Sequence, residues 1–316
     1  MPTKEKINFK QPLDFSETFN LSVKFIRQNF FHLIKCLLLI AGPFILMTAI
    51  ANGYYQKSVF SSEYLRSGDI STLFVQISIL LITTVLASLT LIGVTYEYFM
   101  LYVEKGLDGF DVNDVGRALL RDMGNIAWTF FSLFFFMLVF FGIIVLLGVG
   151  LGKISPILLV IMIILMFFGF LIIMPPMMFV FTATYLVRLK EKNGFFDSVS
   201  RVFSVMKGNF WWTWLIMFCV YLAVALIQMV FLIPQTIMSM VVAFSAVQGE
   251  RSDGVSIAFL IISAAGTFFS TLMYFIFLIF SSVHYYSLEE KKEGKGLMER
   301  IGEIGIKKED SIEGTY

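Results

Sequence analysis

The chain has 316 residues, of which 58% are hydrophobic and only 15% charged, with a mean hydropathy of +0.82. A soluble domain needs about a quarter of its residues charged to cover its surface, so the composition argues against soluble enzymes and nucleic-acid binders. The 24 Lys and Arg against 23 Asp and Glu leave a formal charge of +1, no footprint for a polyanionic partner.

In chain order, the first thirty residues are polar or amphipathic, so no cleavable signal peptide is expected and the first span acts as its own insertion signal. Asp14 and Glu17 have the spacing of a capping box, and Phe15, Phe19, Val23, Ile26 and Phe30 fall on one helical face. Crossing a bilayer takes about 20 apolar residues in a helix, and six runs approach or exceed that length: 33–50, 73–100, 126–149, 157–180, 210–233 and 257–281. Lys35 lies near the start of the first run and Gly42-Pro43 interrupts it. Span two contains Gln76 and, near its end, Glu97. Asp108, Asp111, Asp114 and Asp122 follow, a cluster read as solvated and helix-capping. Val115, Leu119 and Met123 form the apolar face of a second amphipathic segment. The glycine-rich run 148–153 lacks the spacing of a phosphate loop and reads as the turn between spans three and four. Pro175-Pro176 predicts a break in span four. A third amphipathic segment carries Val199, Val202, Phe203 and Met206, with Asp197 as its expected cap, and span five contains Gln228.

These segments repeat. An amphipathic stretch, an asparagine junction and a membrane span recur at Asn29, Asn125 and Asn209, and each even-numbered span exits through tyrosine, a Glu/Lys cluster and glycine. The predicted fold class is all-α and integral to the membrane, with six transmembrane helices in three units of about 13–109, 110–194 and 195–295. Each unit joins an in-plane amphipathic helix to a transmembrane hairpin, the amphipathic helices lying at headgroup level or packing beneath the bundle as connectors. Residues 296–316 form a tail with a partial fourth amphipathic helix. The whole reads as one polytopic domain.

Twenty of the 24 Lys and Arg fall on one side of this topology, which predicts both termini cytoplasmic. Nineteen acids share that side, so attraction to anionic lipid is modest. Cys36 and Cys219 lie inside spans and read as small packing residues. His32 and His284, placed at the interfaces, form no metal-binding pattern, and no catalytic residue, metal or cofactor is expected. Glu97, Gln76 and Gln228 are the candidate intramembrane polar positions. An interfacial pairing of Glu97 and single interhelical bonds from the glutamines are the preferred readings.

The junctions Gln28-Asn29-Phe30, Gly124-Asn125-Ile126 and Gly208-Asn209-Phe210, with the Lys/Glu-Gly exits, resemble the six-span bacterial proteins of the YciC-like and glycerophosphodiester phosphodiesterase membrane-domain type. The resemblance implies a bacterial inner-membrane protein without enzymatic activity. The leading expectation is a scaffold or accessory subunit contacting membrane lipid and protein partners, with no nucleic acid. The alternative is a transporter or permease component for a lipid or hydrophobic substrate. An enzyme ranks third and requires Glu97 and the 108–122 acids to share a cavity.

Overall fold

The computed structural model describes residues 6–59, 70–106, 109–248, 253–294 and 298. Among them there are helices and no strands, and six helical stretches are long and apolar enough to cross a membrane, as a multi-pass membrane protein requires. Helix α1 (Phe15–Cys36) passes through a π-helical turn, Leu37–Ala41, into α2 (Gly42–Val59). The π turn ends at Ala41, two residues before Pro43, which has no backbone N–H and cannot continue the ordinary ladder. Thus Gly42-Pro43 widens the helix without ending it. Helix α3 (Ile70–Lys105) stops at Gly106, whose φ of 81° is the left-handed C-terminal geometry that glycine adopts freely.

Helix α4 (Val112–Ile154) is 43 residues long, about 64 Å at 1.5 Å per residue, and runs without a break past Asn125. The second amphipathic segment is therefore a continuation of span three and not a separate in-plane helix. The residues 148–153 are helical, and the turn into α5 (Pro156–Glu191) falls on Ser155 alone, whose hydroxyl accepts from Ile157 N–H at 3.3 Å. Pro175 and Pro176 are buried inside α5, which stays helical through both, so the expected break is absent. Helix α6 (Phe195–Met206) is a separate short helix, and α7 (Phe210–Gln248) follows it. The last span consists of α8 (Asp253–Leu272) and α9 (Tyr274–Glu293), joined at Met273.

Packing is concentrated at the end of the molecule that carries α6 and the helix exits, called here the charged end. Helix α9 is its axis: Phe275 and every residue from Phe277 to Glu290 are buried, enclosed by α1, α3, α5, α6 and α7. A helix covered on all faces has no use for an amphipathic stripe, which is why its pattern reads as uniformly apolar and then charged. The exit tyrosines Tyr98, Tyr102, Tyr185, Tyr285 and Tyr286 are buried around this axis instead of lying at the interface. Toward the opposite end α8 packs between α2 and α7, and α3 packs on α2.

Helix α1 has a mixed outer side, with Glu17, Asn20, Lys24 and Arg27 exposed beside a few apolar residues. Its covered seam is Thr18, Ser22, Phe25, Asn29, Leu33 and Cys36, whereas Val23 and Phe30 are exposed. The polar seam residues satisfy themselves locally: Thr18 Oγ1 donates to Asp14 O, Ser22 Oγ to Thr18 O and Asn29 Nδ2 to Phe25 O, at 2.7, 2.7 and 2.8 Å. Small, self-bonded side chains let α1 approach α9 closely, as between helices in lipid.

Candidate functional site

The helix starts at the charged end position the candidate site. Asp14 caps α1 with the reciprocal Glu17 bonds expected of a capping box, 2.7 and 2.8 Å. Asp111 caps α4 in the same way through Asp114, at 2.9 and 3.0 Å. The first-turn amide of Asp114 donates to Asp111, the largest of the effects that hold the Asp111 carboxyl below its ordinary value. Asp197 does not cap α6. Gly194 occupies that position, and Asp197 sits in the first turn, where it complements the helix dipole.

Helices α3 and α4 meet at Gly93, where a side chain would collide with Leu119 and press on Ile126. One turn further along α3 comes Glu97, and beyond it the two helices part to form a cleft of about 400 Å³. Glu97, Glu104 and Lys105 line it from α3, and Asp114, Arg117 and Arg121 from α4. Glu97 is only 2% exposed, and its Oε1 has no hydrogen-bond partner. The nearest base is engaged elsewhere: Arg121 Nε donates to Asp122 Oδ2 at 2.9 Å and its terminal nitrogen lies 2.8 Å from the same oxygen, while the Asp122 carboxyl also stands beside Glu97. Arg117 reaches Asp114 only at 3.7 Å, beyond hydrogen-bond distance, with 77% of its side chain exposed. Glu97, expected to pair with a nearby base at the interface, is instead buried, and no base is bonded to its unpaired oxygen. Asp108 lies outside the described residues.

A second, apolar groove of about 680 Å³ runs along α4 against the start of α6, lined by Trp128, Phe131, Phe135, Phe136, Phe195 and Phe196 among others.

The other sequence candidates are dispersed. Gln76 Nε2 donates to Ser58 Oγ at 2.8 Å and Gln228 Nε2 to Ser270 O at 2.9 Å, single interhelical bonds of the kind anticipated. The three junction asparagines do three different things. Asn29 is buried on α1, Asn125 accepts from Arg188 across α4 and α5 at 3.5 Å, and Asn209 precedes α7 and accepts from Thr213 N–H at 2.9 Å. His284 is fully enclosed, its Nε2 3.1 Å from Thr213 Oγ1, so it is a core residue and not an interfacial one.

Two features escaped sequence reasoning. Residues 6–14 form an extended strap over the charged end. Ile7, Phe9 and Leu13 are buried, Ile7 N–H donates to Tyr102 Oη at 3.2 Å and Leu13 N–H to Ser287 Oγ at 3.0 Å. The alternation of Ile7 and Phe9 with Asn8 and Lys10 was its only signal. The aromatic groove also had a signal, the seven-residue spacing of Trp128 and Phe135, lost among the many phenylalanines of that span.

No protein family matches the chain, and no curated protein or solved structure matches it.

Proposed function

We propose that this multi-pass protein is a non-enzymatic scaffold or accessory subunit of a complex in the bacterial inner membrane. In this reading its charged end faces the cytoplasm and its helices there contact lipid or partner proteins. The observation that carries the reading is the α4–α5 hairpin. In the most apolar 18-residue stretches of α4 and α5 only 6% and 11% of the residues are buried, against 44% in the first span. Phe134, Phe135 and Phe136 stand 100° apart around α4, and each is more than half exposed. Exposure therefore runs around α4 instead of being confined to one side, and in this reading a neighbouring transmembrane helix covers part of that surface.

The non-enzymatic part follows from how the acids are used. Glu97 and Asp114 do share one cleft, but Asp114 is engaged in its capping box and the adjacent Asp122 binds Arg121. The acids that remain, Glu97 and Glu104, share a lining that holds no Ser, Thr, Cys, His or Tyr, so the cleft offers no nucleophile beside them. The starts at Asp14, Asp111 and Gly194, each with an acid three places on, support the three-unit organisation.

Extraction of the tagged full chain from native membranes in mild detergent tests the reading. A stoichiometric transmembrane companion is expected, and it is lost from a variant combining Phe134→Ala with Phe141→Ala. Recovery as an isolated monomer, or a companion indifferent to those substitutions, overturns it.

A further inference from the structure

The α3–α4 cleft places a buried carboxylate and an exposed guanidinium side by side at the start of a helix whose deeper turns are aromatic. We propose that it binds the headgroup of a phospholipid carrying both a phosphate and a primary ammonium, with an acyl chain along the aromatic face of α4. The inference rests on the lipid-contacting part of the function proposed above and does not require a protein partner.

Glu97 supplies the first half of the argument. A carboxylate oxygen that is buried and unpaired is costly, and the group it needs is a hydrogen-bond donor, preferably a cationic one. Arg121 cannot serve while it binds Asp122. A primary ammonium brings three N–H donors, whereas a quaternary ammonium brings none. Arg117 supplies the second half: its guanidinium stands on the rim, exposed and not hydrogen-bonded to Asp114, in the form that takes a phosphate through paired N–H groups. The cleft lining balances Glu97, Glu104 and Asp114 against Lys105, Arg117 and Arg121, so it complements a zwitterion better than a headgroup that is only anionic.

Helix register connects headgroup to chain. Asp114, Arg121, Trp128 and Phe135 are seven residues apart and drift by only about 20° per step, so they share one face of α4. Arg121 and Trp128 are separated by about 10 Å along the axis, comparable with the depth of a headgroup layer. Phe195 and Phe196 of α6 wall the aromatic part.

The test uses the full chain in liposomes with Trp211, Trp212 and Trp214 replaced by Phe, so that Trp128 is the sole indole. Quenching by phosphatidylethanolamine with brominated acyl chains is compared with that by brominated phosphatidylcholine and phosphatidylglycerol. The ethanolamine lipid is expected to reach half-quenching at about fivefold lower mole fraction than either. Glu97→Gln reduces it to the level of the choline lipid, and Arg117→Ala, at an exposed side chain, weakens ethanolamine and choline lipids alike. Native mass spectrometry of the wild-type chain, exchanged into an equimolar mixture of the three lipids, gives the same ordering without the tryptophan replacements. Equal quenching by all three, preference for the glycerol lipid, or an ethanolamine preference that survives Glu97→Gln overturns the proposal. Because no partner is present, any of these outcomes leaves the co-purification result to stand or fall by itself.

Discussion

Arg201 shows how charge is used at the charged end. It donates to Glu191 Oε1 at 3.1 Å, approaches Glu289 Oε1 at 3.5 Å and pairs with Glu293, while Lys190 contacts Glu289 at 2.5 Å and lies 4.4 Å above the ring of Tyr286. Partial burial works against the Arg201 charge, and its bond to Glu293 with the field of Glu191 outweighs that, so its pKa is raised. Arg201→Met keeps the bulk and leaves Glu289 with Lys190 alone. The expected loss is about 2 kcal/mol, below the cost of breaking a dry pair because the guanidinium is about a fifth exposed, read as a lower Tm in detergent. Asp111 gives the pH dependence. Its folded pKa is lowered, so the capping contribution is complete above the unfolded value near 4 and disappears as pH falls through the folded one. Asp111→Ala therefore melts below wild type at pH 6, and the two melting temperatures converge on acidification below pH 4; a gap independent of pH would exclude the carboxylate as its source.

Between elements, the close approaches occur at glycines, and what faces each one sets the penalty for filling it. A methyl at Gly93 meets the ends of the Leu119 and Ile126 side chains, which can rotate away. At Gly266 on α8 it meets the backbone carbonyl of Phe231 on α7 at 2.8 Å and Gln235 Oε1 at 3.0 Å, and a carbonyl held in a helix cannot move aside. Gly266→Ala is therefore expected to cost about 2–3 kcal/mol, whereas Gly93→Ala stays within about 1 kcal/mol, since a modest repacking strain is offset by alanine's better helix propensity. Comparing their thermal melts in one detergent checks the order, and a reversal would show that α7 and α8 separate more easily than α3 and α4. Neither contact was legible in the sequence, because a glycine in an apolar run does not say which helix it faces. The capping box at Asp14 was legible because it is made entirely within four residues.

For the whole molecule, the bilayer's demand for length made the six spans plain, while the apolar face expected on α1 divides: Val23 and Phe30 are exposed, whereas Phe15, Phe19 and Ile26 pack against the core. What the sequence hid was the inside of the charged end. Glu289 and Glu290 read as surface residues yet lie on the buried axis, and Glu97 could be picked out singly while Arg117 and Arg121 joined it only through the reversal between α3 and α4. The strap of residues 6–14 completes that end, and Phe9 is its anchor, packed 4.9 Å from the ring of Phe99 and 5.7 Å from that of Phe25. Because the strap bridges α1, α3 and α9, its loss acts on their mutual packing and not on insertion of the spans. Phe9→Ala removes a fully enclosed ring and is expected to cost about 3 kcal/mol. Cysteines introduced at Tyr102 and Tyr286, which the strap covers, should then label faster with a water-soluble maleimide, while one introduced at buried Val202 on α6 keeps its wild-type rate. Equal acceleration at all three positions would mean that Phe9 supports the entire bundle, and unchanged labelling at Tyr102 and Tyr286 would mean that the strap is held without it.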